Sequence, residues 1–76
     1  MRPDPLSREL GAALSAMRRH AKLSRYDLAL DVGLSHWQIA RIERGQARTI
    51  KTEVLRAWSQ ACGQRVRVVV EPLGAA

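Results

Sequence analysis

The sequence predicts an all-α domain of four short helices, followed by one C-terminal strand. Three observations carry that expectation. Apolar residues recur at helical spacing in separate stretches. Two of those stretches are short, each opened by a serine, and they are joined through a single glycine. The last stretch abandons the helical period for an alternation of two. A chain of 76 residues has room for one modest core, hence one domain.

The first helix is expected to begin at Asp4 and Pro5. The aspartate can cap, and proline suits the first helical position because its missing N–H costs nothing there. Leu6, Leu10, Leu14 and Met17 follow at spacings of four, four and three, one apolar stripe. Gly11 and Ala13 are small enough for a neighbouring helix to approach, while Ser7, Arg8, Ser15, Arg19 and Lys22 fall on wetter faces. Ser24 opens the second helix by accepting from the backbone of Asp27, whose charge suits the positive end of the helix dipole. Leu28, Ala29 and Val32 are its inner face, and Gly33 stops it in the left-handed conformation.

Ser35 caps a third helix that runs to Arg44, with Leu34, Ile39 and Ile42 turned inward and Gly45 as its stop. Two short capped helices about one glycine are the sequence form of a helix-turn-helix. After the polar loop 46–51, Thr49 or Thr52 caps a fourth helix; the sequence leaves both open. Val54, Leu55, Trp58, Ala61 and Cys62 form its apolar face, and Gly63 closes it. Arg65, Val66, Arg67, Val68, Val69 and Val70 then read as a strand ended by Pro72. A lone strand has an exposed edge, and pairing with the same strand of a second copy removes it. Because a two-stranded ribbon is marginal, Val66, Val68 and Val70 are expected to pack on the domain near Trp58.

Bulk composition narrows the function. Hydrophobic residues are 46% of the chain, as in globular proteins. Thirteen basic against seven acidic residues give a net charge of +6, which favours polyanionic partners. No apolar run is long enough for a membrane span, and Met1–Ser7 lacks the apolar core of a signal peptide, so a cytoplasmic protein is expected. Cys62 has no second cysteine for a disulfide or zinc site and reads as a small buried residue. No carboxylate pair with a nearby histidine, phosphate-cradling glycine loop or metal-ligand cluster is visible. An enzyme, a cofactor and a metal are therefore not expected. With three aromatics and no phenylalanine there is no stacking platform for RNA.

Residues Leu10–Gly63 resemble the XRE family, the phage repressor and Cro-like helix-turn-helix proteins. The resemblance is carried by Leu23-Ser24-Arg25-Tyr26-Asp27-Leu28-Ala29, by Val32-Gly33-Leu34-Ser35, and by Ile39-Ala40-Arg41-Ile42-Glu43-Arg44-Gly45. It implies a compact lambda-repressor-like domain over residues 5–63 that binds double-stranded DNA. Residues 1–4 would be a tail, 64–72 a dimerisation strand and 73–76 a second tail. Trp37 stands where the family often has a small polar residue, and Arg25 where glutamine is frequent, so base preference does not transfer. The resemblance also implies that Glu43 pairs with Arg18 of the first helix. The terminal strand resembles that of antitoxins in this family, which pair their strands and bind a cognate toxin protein.

A recognition helix presents its first turn and one flank to base edges. With Ile39 and Ile42 inward, His36, Trp37, Ala40 and Arg41 are expected outward, with Gln38 at the border. Arg41 has the planar fork that matches guanine O6 and N7. Trp37 has two open readings: contact with thymine methyls or the sugar edge, or a fold sideways onto the domain or a partner protein. Ser24, Arg25 and Tyr26 at one helix start, with Ser35, Arg44, Arg48 and Lys51 around the other helix, are expected at phosphates. Val66, Val68, Val69 and Val70 are expected at a homodimer interface. The function expected is therefore a dimeric repressor reading an inverted repeat. The competing expectation is a module of the same fold that binds a partner protein instead.

Overall fold

A computed structural model describes residues 4–74, and the outermost parts of both expected tails lie outside them. The order is α1 (Pro5–His20), α2 (Arg25–Val32), α3 (His36–Glu43) and α4 (Thr52–Ala61). Local chemistry sets most of these limits. Asp4 accepts from Ser7 N at 3.2 Å and Ser24 from Asp27 N at 3.0 Å. Ser35 and Gln38 cap each other reciprocally, at 3.1 and 2.9 Å, which satisfies two N–H groups that the first turn leaves without helical partners. Replacing Ser35 by alanine should cost about 1 kcal/mol of stability, read by denaturant unfolding, because one of those N–H groups loses its acceptor.

The core is Leu14, Leu28, Ala29, Ile39, Ile42, Trp58 and Cys62. Trp58 is wholly enclosed, and its indole Nε1 donates to the Leu14 carbonyl at 3.2 Å, so its one polar atom is satisfied inside. That bond ties α4 to α1. Helix α3 packs on both α1 and α2, and α4 packs on α2, so α3 is braced from two sides. Burial pushes the Cys62 thiol above its ordinary pKa, which keeps it a small apolar filler.

Several expectations are corrected. Residues 64–72 form no strand: among the described residues there is no ladder, since a single copy offers this segment no edge. Val66 is half-buried beside Leu55 and Ser59, but Val68 and Val70 are 86% and 90% exposed and do not pack near Trp58. Val69 is exposed as well. Neither threonine caps α4; Lys51 occupies the cap position without a side-chain bond, and Thr52 is the first helical residue. Leu6 lies one turn beyond the core and is exposed. Ser15 is buried rather than wet, its hydroxyl accepting from Arg19 Nη2 at 2.9 Å. Unanticipated from the sequence, Lys22 takes the left-handed conformation just after α1, at φ 60°. No helix among the described residues is long and apolar enough to cross a membrane.

Candidate nucleic-acid interface

The site begins with the turn between α2 and α3. Gly33 takes φ 78° and returns its N–H to the Ala29 carbonyl at 2.9 Å, so α2 stops abruptly and Ser35 starts α3 two residues later. Helix α3 buries Ile39, Ala40, Ile42 and Glu43. That arc is wider than the two isoleucines alone, because Glu43 is an interior residue despite its charge. Ala40 is consequently only 4% exposed and lies on the buried side of α3, not on the outward face where the sequence reading places it.

The outward stripe instead holds Trp37, Gln38, Arg41 and the cap residue Arg44, all exposed. Trp37, Arg41 and Arg44 stand at i, i+4 and i+7, one line along the helix. The sequence assigns Arg44 to phosphate, and the spacing that puts it beside Arg41 is legible there. Gln38 has its carboxamide oxygen engaged by the Ser35 N–H, which holds its side chain toward the start of α3. Beyond this stripe Gln38, Arg41, Arg48 and Lys51 line one groove between α3 and the loop before α4, with Ile50 and Val54 beneath. Three cations around an open groove produce a local positive potential.

At the other end of α3, the Tyr26 and His36 rings stack with centroids 4.3 Å apart. His36 in turn meets Trp37 at 4.6 Å. Residues from the start of α2 and the start of α3 thus form one aromatic surface, which sequence distance gave no means of foreseeing. His36 itself is half-buried.

Glu43 organises the inner side. Arg18 donates to it twice, Nε to Oε2 at 2.6 Å and Nη2 to Oε1 at 3.1 Å. A third Arg18 bond, from Nη1, reaches the Leu23 carbonyl at 2.9 Å. Arg25 Nε donates to Glu43 Oε1 at 3.0 Å. The Arg18–Glu43 pair is therefore present, and Arg25 joins it, which gives Arg25 a structural partner that the sequence reading did not foresee. Burial pushes the Glu43 carboxyl up, but the hydrogen bonds and charges of Arg18 and Arg25 outweigh burial and hold it below its usual range. One carboxylate thereby fastens α1, α2 and α3 together behind the exposed stripe. Ser24, its hydroxyl accepting the cap bond, and Tyr26 lie exposed at the start of α2, and Ser35 at the start of α3.

Two eight-residue helices around a glycine turn, the second with a polar and cationic flank facing outward, define a helix-turn-helix domain. The helix-turn-helix family model matches residues 14–68, and the chain belongs to this XRE-type family of DNA-binding transcriptional regulators. It is similar to two crystal structures of the clp gene regulator ClgR from Corynebacterium glutamicum. The first has a TM-score of 0.77 and 28% identity over 86% of this chain and 82% of that one. The second has a TM-score of 0.75 and 27% identity over 83% of this chain and 66% of that one. No curated protein matches the chain.

Proposed function

We propose that the protein represses transcription by binding an inverted-repeat operator as a homodimer, one α3 in the major groove of each half-site. The observation that carries this reading is the outward stripe Trp37, Gln38, Arg41 and Arg44, which the core leaves uncovered while Glu43 holds the helix from behind. Arg41 reads guanine by its two-pronged fork, with Trp37 and Gln38 on neighbouring base edges. Arg44, Arg48 and Lys51 neutralise phosphates at the far end of α3, and Ser24, Tyr26 and Ser35 add hydroxyls at the near end.

The dimer rests on the apolar run at Val68, Val69 and Val70, which one copy leaves in water. Strand pairing between two copies supplies the ladder that the monomer lacks. Dimer formation also doubles the base pairs read, which operator selectivity requires.

The test is light-scattering mass with and without random duplex DNA, then affinity over a salt series, then selection of a preferred site. A dimer with six neutralised phosphates should show log K falling with log salt at a slope of about −5. On the selected site Arg41→Ala should lose about 1–3 kcal/mol and relax preference at a single base pair. A monomer indifferent to DNA at low salt would sink the proposal. The exposed Trp37 favours a second reading, a protein-interaction module; under it the Arg41→Ala variant would bind DNA no worse than the unaltered chain.

A further inference from the structure

Three rings gather at the leading end of the recognition helix, and the core has no use for two of them. Tyr26 is 65% exposed and Trp37 68% exposed, yet they are joined through His36 by centroid distances of 4.3 and 4.6 Å. Apolar area of this size in water is unfavourable, and a lone surface aromatic usually has several rotamers open to it. Here mutual ring contact favours one arrangement over the others, so less side-chain entropy is lost on binding. The surface is therefore a preorganised apolar face set on the first turn of α3.

We infer that this Tyr26–His36–Trp37 face reads the 5-methyl groups of thymines in the operator, with Trp37 as the contact and Tyr26 and His36 as positioning residues. The inference deepens the DNA-reading proposed above and rests on it. Its chemistry follows from what the groove displays. Along the major-groove edge the bases offer hydrogen-bond donors and acceptors, and the thymine methyl is the apolar group among them. Arg41 and Gln38, farther along the stripe, serve the polar edges. The aromatic face has an apolar surface to cover, and cations at Arg41, Arg44 and Lys51 on and beside the same helix hold it against a polyanion rather than a neutral surface. The result is a division of labour along α3: methyl groups at its start and polar edges at its middle.

The experiment uses the full chain and its selected operator, with each thymine replaced in turn by deoxyuridine, which removes one methyl and leaves the pairing edge intact. Replacement under the start of α3 should weaken binding about fourfold per methyl, the equivalent of one buried carbon. Thymines elsewhere should be neutral. Trp37→Ala, on an exposed position that leaves the core untouched, should bind the thymine operator more weakly and show no difference between thymine and deoxyuridine. Trp37→Phe should restore part of that difference. Tyr26→Ala should reduce the difference without abolishing it. Deoxyuridine that is neutral at every position, on DNA that the chain still binds selectively, overturns the inference and leaves the DNA-reading standing. If Trp37→Ala keeps full operator affinity, the inference fails. Failure of the unaltered chain to bind any duplex overturns both.

Discussion

Glu43→Gln should destabilise the domain by about 3–5 kcal/mol, read as a lower denaturant midpoint at unchanged slope. The size follows from burial. The Glu43 side chain is 2% exposed and that of Arg18 12%, and three hydrogen bonds from two arginines converge on one carboxylate. Glutamine keeps the shape but removes the charge, so Arg18 is left as a nearly enclosed cation with no counterion. Arg25, 38% exposed, can turn to water and suffers less. Arg25→Ala should therefore cost less than Glu43→Gln, a ranking that separates the buried pair from the rim pair.

The same carboxylate predicts an acid limit. Its folded pKa lies below the ordinary glutamate value near 4.5, so the folded state releases this proton more readily than the unfolded chain. The stabilisation is complete above that ordinary value and is lost as pH falls through the depressed folded one. Unfolding free energy should thus decline as pH drops below about 4.5, and Glu43→Gln should remove that part of the decline.

Much of this frame was legible where its cause is local. Asp4, Ser24 and Ser35 are caps because a short acceptor sits two or three residues before donors with no helical partner, a relation that sequence displays directly. Gly33 is legible for the same reason. What failed depended on tertiary partners. Two isoleucines alone predict Ala40 outward, but the paired glutamate widens the inner face to include it. The valine run has the period of a strand, yet period gives the faces of a strand and not its neighbour. The aromatic face joins residues ten and eleven positions apart across two helices and has no one-dimensional trace. The Arg18–Glu43 pair came through family resemblance and not through spacing.

Gly11→Ala should also be strongly destabilising, although alanine is the better helix former by about 1 kcal/mol. Gly11 is buried where α1 crosses α3, and an added Cβ would lie inside contact distance of the Ile42 carbonyl oxygen and 2.9 Å from that of Glu43. Both obstacles are backbone, so no rotamer change relieves them. The helices would have to part by about 1 Å to regain ordinary van der Waals separation. Overpacking of this kind costs about 1–3 kcal/mol and outweighs the propensity gain. The damage extends beyond the crossing. Arg18 lies seven residues, two turns, along the same face of α1, so parting the helices stretches its 2.6 Å bond to Glu43 toward loss. Gly11 and Glu43 consequently act on one interaction: the glycine permits the close approach, and the carboxylate uses it. Denaturant unfolding of Gly11→Ala, Glu43→Gln and the double variant should show a combined loss smaller than the sum of the single ones. Strict additivity would mean that the pair tolerates the wider crossing, and α3 would then owe its position to Ile39 and Ile42 rather than to the ion pair behind it.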